Sequence, residues 1–327
     1  MFFNKREWKF KTLPNEILIE TVMGCNLKCP MCPVPLSKEL MNNRKPCHMQ
    51  PDVYKKIIDQ ISDMPRFISL YQMGEPLLNK HIFDYIKLAK SKGHEISLTS
   101  NGTLLNEMKS NNLIDSKLDK ITFSIDGFRP ETYEKIRLGA KHEKVCKNIE
   151  YLYALKMEKM SRMVIQIDCI DSDLTHKEIP DMMKFWKSRC DIFNIIPLDD
   201  WAEQLQLPDN MGQKKWDEKI KKTKRYPCDL LWNTLAISAE GNVMYCCHDF
   251  KLTSTLPNVL DMPLKNIWGE IIAIERKKHV NNTIDSTPCL YCNAWKSRSE
   301  KTNLSKMIKR FIPLYYQTKL KKLFTFF

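Results

Sequence analysis

No stretch of this 327-residue chain comes near the roughly 18 consecutive apolar residues that a membrane-spanning helix needs, which excludes a helical membrane protein. The start, Met1-Phe2-Phe3-Asn4-Lys5-Arg6-Glu7, brings charge at once and lacks an apolar h-region, so no signal peptide is expected and the expected compartment is the cytoplasm. Internal repeats and low-complexity segments are also missing, which argues against a solenoid or a disordered polar tract. Hydrophobic residues make up 43%, a normal globular share, and the length suits one large domain with a smaller one.

Two features are in excess. Twelve cysteines in a long chain without a secretory signal are expected to stay reduced, so metal ligation explains them better than disulfides. The net charge of +13 is concentrated: between Lys296 and Lys322, nine Lys and Arg residues face Glu300 alone. Such a basic tail, 296–327, alternates cations with Ile, Leu, Tyr and Phe and is broken by Pro313. It suits either packing on the main domain or peripheral contact with an anionic membrane. Nucleic acid is not expected as a partner, because no recognisable nucleic-acid fold accompanies the cations.

Apolar, β-branched runs recur at 16–22, 66–73, 95–99, 120–125, 163–170 and 191–197, and helical patterns separate them at 51–62, 81–90, 104–114, 131–157 and 175–188. Strands alternating with helices predict an α/β fold with a parallel sheet, doubly wound or closed into a barrel. The rhythm ends near 198, so 1–198 is expected to be the core domain. Residues 199–227 read as a polar linker, and 228–295 as a small cysteine-bearing module.

Directly after the first strand stands Gly24-Cys25-Asn26-Leu27-Lys28-Cys29-Pro30-Met31-Cys32-Pro33. Three thiolates at spacings of four and three can wrap one side of a metal centre and leave one coordination position open, which is a catalytic arrangement. Zinc is the structural alternative, with Cys47 or His48 as the fourth ligand across a long loop. Turn-like motifs follow the next strands in order: Gly74-Glu75-Pro76, Ser100-Asn101-Gly102, then Ser124-Ile125-Asp126-Gly127, with Arg137 a little further on. The C-terminal ends of parallel strands are where ligands gather in such sheets.

The CxxxCxxC spacing, together with this order of motifs over about 25–140, resembles the radical SAM enzymes. The resemblance implies a partial (β/α)6 barrel with a small α+β cysteine-rich C-terminal domain. It implies a 4Fe–4S cluster on Cys25, Cys29 and Cys32, whose open iron binds S-adenosyl-L-methionine. One electron from the reduced cluster would cleave that cofactor to methionine and a 5′-deoxyadenosyl radical, which abstracts hydrogen from substrate. Gly74, Glu75 and Pro76 correspond to the motif that holds the cofactor's amino group. Ser100, Asn101, Ser124 and Asp126 would bond its ribose or carboxylate, and Arg137 would face the carboxylate. An electron donor such as flavodoxin or ferredoxin is implied as well.

The second cluster comprises Cys228, Cys246, Cys289 and Cys292. Apolar runs on either side of Glu240-Gly241 read as a β-hairpin, a helix is expected near 265–279, and Cys289-Leu290-Tyr291-Cys292 is a CxxC pair. Four thiolates from these places could close a complete site, and a zinc ribbon is the structural alternative. Beside the N-terminal motif, the pattern resembles the shortened SPASM or twitch extension, which binds an auxiliary 4Fe–4S cluster. Two clusters in all are therefore expected. The spacing from Gly241 favours Cys246 over its neighbour Cys247, and Cys47, Cys146, Cys169 and Cys190 are expected to be buried hydrophobes.

A fully ligated second cluster suits electron transfer, so the expected activity is oxidation of an alcohol or sugar-like small molecule. Within the same family, a radical SAM epimerase (with a free cysteine as hydrogen donor) and a peptide maturase are the alternatives. A zinc-binding interaction protein using the basic tail is the non-enzymatic one.

Overall fold

A computed structural model describes residues 9–35, 42, 44–199, 201, 204–208, 211, 227–285, 288–290, 292 and 295. The basic tail and most of the linker lie outside them. Six parallel strands follow the expected order: β1 (Glu16–Ile19), β4 (Phe67–Leu70), β5 (Glu95–Ser100), β6 (Lys120–Ser124), β7 (Val164–Asp171) and β8 (Ile192–Pro197). Helices α1 (Pro51–Ile61), α2 (Ile82–Ser91), α3 (Glu107–Asp115), α5 (His142–Glu158) and α6 (Ile179–Trp186) connect them. This is the partial (β/α)6 barrel.

Periodicity explains the packing. In α1, Val53, Tyr54, Ile57, Ile58 and Ile61 form one buried stripe, and Pro51 sits in the first turn, where its missing N–H costs nothing. Tyr54 stacks on Tyr85 of α2 with ring centroids 4.1 Å apart. Along the strands, Ile68, Leu70, Ile96, Leu98, Ile121, Phe123, Ile165 and Ile167 are fully buried. The alternate positions are polar: Ser69, Ser97, Thr122, Ser124, Gln166, Asp168 and Asn194. Parallel sheets covered on both faces are apolar throughout, so this alternation marks a second face that lines a cavity instead of a core.

Three departures from the sequence reading matter for the site. The sheet has eight strands, because β9 (Thr234–Ile237) of the C-terminal module pairs parallel with the outer edge of β1, and β10 (Val243–Met244) pairs antiparallel with β9. An unpaired β1 edge would leave a row of N–H and C=O groups exposed, and the hairpin covers it. The first run is not one strand: it breaks after Ile19, and β2 (Val22–Met23) pairs instead with β3 (Cys47–His48). The helix expected over 131–157 is two, α4 (Pro130–Ile136) and α5, split around Gly139, whose φ of 100° no helical residue adopts.

Candidate active site

β2 delivers the chain to the C-terminal rim of the barrel, where Gly24 meets Gly74. The Gly24 N–H donates to Met73 O (2.9 Å) and the Glu75 N–H to Gly24 O (3.0 Å). A Cβ on Gly74 would stand 2.3 Å from Val22 O and 2.6 Å from Gly24 O, so only glycine permits this approach. The loop then turns through the three cysteines. The Leu27 N–H donates to Cys25 Sγ (3.4 Å), the Cys32 N–H to Cys29 O (3.1 Å) and the Lys28 N–H to Leu138 O (2.9 Å), in the break between α4 and α5.

Protein donors surround the sulfurs. Asn101 Nδ2 points to Cys25 Sγ (3.6 Å) and Arg137 Nη1 to Cys29 Sγ (3.9 Å). Burial raises the Cys25 thiol, and burial together with the other two thiols pushes Cys32 up to about 12. Such thiols become thiolates when a metal centre supplies the positive charge. The three sulfurs are not all within 4.8 Å of one another. Ligands of a single zinc ion, at Zn–S of about 2.3 Å, would stand about 3.8 Å apart. Cys47 packs with Met23, Met73, Ala239 and Phe250, and His48 is exposed, so neither takes up the zinc alternative. The donor set fits a cluster with one iron left open.

Of the other expected site residues, several face inward to hold the rim together. Glu75, 1% exposed, accepts from Ser100 Oγ (2.8 Å), Asn101 N–H (2.7 Å) and Leu77 N–H (3.1 Å). Its carboxylate therefore fixes the loops after β4 and β5, and burial raises its pKa. Pro76 opens the single 3₁₀ turn that follows. Asp126, fully buried, accepts from Arg137 Nε (2.7 Å) and from the Ile170 N–H (2.6 Å). Arg137 thus spans Asp126 and Cys29. Ser124 lies half-buried on the open face, in register with Asp168.

Sequence reasoning missed two groups here. Asp168 Oδ1 accepts from Gln166 Nε2 (2.5 Å) and Asn194 Nδ2 (3.1 Å), which puts a carboxylate among amides on the barrel's open face. The alternation of polar residues in 164–171 was the available signal. The second group is a buried ion triad. Arg44 pairs with Glu20 at the end of β1 and with Glu240 in the hairpin turn (2.7 Å), and its Nη1 donates to Phe250 O (2.8 Å).

The C-terminal module builds another site. Cys228, Cys246, Cys289 and Cys292 line one small cavity, together with His248, His279 and Trp295. Cys247 does not line it; its Sγ lies 3.6 Å from His248 Nδ1. Burial alone would depress the pKa of His248, but Cys247 and the Asp199 carboxylate (3.0 Å) raise it to about 11. Trp201 joins the two regions: its Nε1 donates to Met31 O (3.1 Å) and its ring meets His248 edge-on at 6.3 Å. Cys146, Cys169 and Cys190 are buried, as expected, whereas Cys47 is half-buried.

Comparison with known proteins agrees with this geometry. Residues 19–185 match the model of the radical SAM superfamily, and residues 228–294 match that of the SPASM iron–sulfur cluster-binding domain. A probable GTP 3′,8-cyclase of Methanococcus maripaludis is 31% identical over 173 residues, 53% of this chain and 55% of that protein. The tungsten-containing aldehyde ferredoxin oxidoreductase cofactor-modifying protein of Pyrococcus furiosus is 25% identical over 175 residues, 52% of this chain and 47% of its own. The chain spans about half the length of these curated relatives. Among solved structures, BtrN in complex with AdoMet and 2-DOIA aligns with a TM-score of 0.57 and 21% identity, covering 83% of this chain and 88% of BtrN. Streptococcus suis SuiB aligns with a TM-score of 0.64 and 16% identity, covering 86% and 71%. Both likenesses are of fold. No helix among the described residues is long and apolar enough to cross a membrane. The chain belongs to the radical SAM superfamily and carries a C-terminal SPASM domain, so its cofactors are S-adenosylmethionine and 4Fe–4S clusters, one of them auxiliary.

Proposed function

We propose that this enzyme oxidises a small alcohol or sugar-like substrate, with the auxiliary cluster as electron acceptor. The observation that carries the reading is the contrast between the two cysteine sets: a loop bearing three cysteines, which would leave one position of a cluster open, and a cavity lined by four, which would leave none. Cys25, Cys29 and Cys32 would hold the first cluster, whose chemistry when reduced would be one-electron cleavage of S-adenosylmethionine and, through it, removal of one hydrogen atom from substrate. Going from H–C–O–H to C=O then requires the loss of one proton and one further electron. A base on the open face would take the proton, and Cys228, Cys246, Cys289 and Cys292 would hold the centre that could accept the electron.

The chain's own residues supply the rest. Asn101 and Arg137 donate toward the cluster sulfurs, and Glu75 and Asp126 hold the loops that carry them. Ser69, Ser97, Thr122, Ser124, Gln166 and Asn194 give the open face hydrogen-bonding groups suited to a hydroxylated ligand. Asp168 is the base of choice: Gln166 and Asn194 both bond its Oδ1, which leaves Oδ2 for a substrate hydroxyl. A one-electron protein such as a flavodoxin or ferredoxin would recharge the clusters.

The test is a division of labour. With dithionite and S-adenosylmethionine, the protein is incubated with a metabolite extract and followed for 5′-deoxyadenosine and for products two mass units lighter. Cys289→Ser with Cys292→Ser should still release 5′-deoxyadenosine while product formation falls at least 100-fold. Normal turnover by that variant would remove the electron-acceptor role. Deuterium uptake from heavy water into a product of unchanged mass class would point to epimerisation instead.

A further inference from the structure

One wall of the auxiliary cavity includes His279 of helix α7 (Ile272–Asn281), which carries Glu275 and His279 one turn apart. Glu275 is 1% and His279 2% exposed. The Cys228 N–H donates to His279 Nδ1 (3.3 Å), so in the neutral imidazole the proton sits on Nε2. Nε2 lies 3.7 Å from Glu275 Oε1, and the ring of Trp232 meets the imidazole edge-on at 6.4 Å. One imidazole nitrogen, a Glu275 oxygen and Cys289 Sγ all lie within 4.8 Å of one another. A single imidazole therefore touches the backbone of one cavity cysteine and approaches the sulfur of another.

We infer that His279 and Glu275 set the reduction potential of the auxiliary cluster in opposite directions, His279 raising it through its imidazole N–H close to Cys289 and Glu275 lowering it. The inference rests on the reading of this cavity as the cluster site. Reduction adds a negative charge that is shared by the ligand sulfurs. A donor at a sulfur stabilises that charge, and a buried carboxylate beside it opposes it. Both side chains are shielded from solvent, so neither effect is screened away by salt. His279 is thus a positioning residue: it acts on the acceptor and not on the substrate.

Asparagine can place its amide oxygen where Nδ1 lies, while glutamine can place its NH2 where Nε2–H lies. In the full-length protein loaded with both clusters, the auxiliary midpoint is read by EPR-monitored redox titration, with S-adenosylmethionine added to shift the signal of the first cluster. His279→Asn should reduce the reduced fraction at a fixed potential about tenfold, a fall of 59 mV for one electron. His279→Gln should stay close to the parent, and Glu275→Gln should move the midpoint upward. Midpoints of His279→Asn and Glu275→Gln that stay put, or move the same way, overturn the inference. If His279→Asn loses the cluster, Glu275→Gln decides: an upward shift supports the inference and no shift overturns it. A parent protein holding zinc at Glu275, His279 and Cys289, with about half the expected sulfide, would overturn the cluster reading itself, and this inference with it.

Discussion

At the scale of single residues, a carboxylate at a ligand-binding rim can touch the ligand, hold the rim in shape or do both, and the hydrogen bonds of Glu75 and Asp126 do the holding. Each accepts from a backbone N–H at the end of a neighbouring strand, a role that no motif reveals, because the partners lie 26 and 44 residues away. His94 is a similar case below the sheet. It is fully buried, its Nδ1 accepts from the Arg66 N–H (3.1 Å), and its Nε2 has no partner. Burial, with Arg66 and Lys90 nearby, lowers its pKa from 6.5 to about 4. The unfolded chain therefore binds more protons than the folded one between these values, and stability falls as pH falls from about 6.5 toward 4. By pH 5 the loss is about 2 kcal/mol. His94→Asn keeps an acceptor near Nδ1 but cannot take up a proton. Urea unfolding of cofactor-free protein at pH 7 and pH 5 should show that difference in the parent and not in the variant; parallel losses in both would exclude His94 as the cause.

At the scale of elements, local pattern and long-range pairing were not equally legible. Each of the six barrel strands was visible because β-branched runs and capped amphipathic helices leave short-range signatures. The split at Gly139 had its own signal, a glycine within a helical pattern, and it places Arg137 by the cluster loop. The pairing of β9 with β1 had none, since the strands stand more than 200 residues apart and any edge would accept any strand. What fixes the hairpin there is Arg44, which joins Glu20 beneath the cluster loop to Glu240 in the hairpin turn. Glu20 is fully buried, also accepts from the Ala239 N–H (3.2 Å), and has its pKa raised by burial even with Arg44 beside it. Arg44→Met should cost about 3–5 kcal/mol by leaving that charge alone. Adding Glu20→Gln should recover much of the loss. Calorimetry gives the first number, and hydrogen exchange at 234–237 should rise in Arg44→Met; an effect below about 1 kcal/mol would mean that the hairpin is held by packing alone.

At the scale of the whole molecule, the two cysteine sets lie on loops beside one continuous eight-stranded sheet, yet no cysteine is shared between them. The first loop hangs from β2 and the Gly24–Gly74 contact, and the second cavity is built by the ends of the hairpin, α7 and the CxxC pair. Trp201 and the Arg44 triad connect the surroundings of the sites, not their ligands. Metal loading should therefore be separable. Anaerobically reconstituted protein is expected to hold about eight iron and eight sulfide, as two 4Fe–4S clusters. Replacing Cys25, Cys29 and Cys32 together by Ala should leave about four of each, because the donors that close the auxiliary cavity are untouched. The hairpin should stay in place as well, since Glu20, Arg44 and Glu240 do not depend on the cluster loop's sulfurs. Iron and acid-labile sulfide are measured alongside near-ultraviolet circular dichroism, which reports whether Trp201 and Trp268 keep their surroundings. A triple variant that retains eight iron would mean that the first site is not on these cysteines. One that loses all iron while the dichroism stays native would mean that the auxiliary cavity cannot close a cluster without the first.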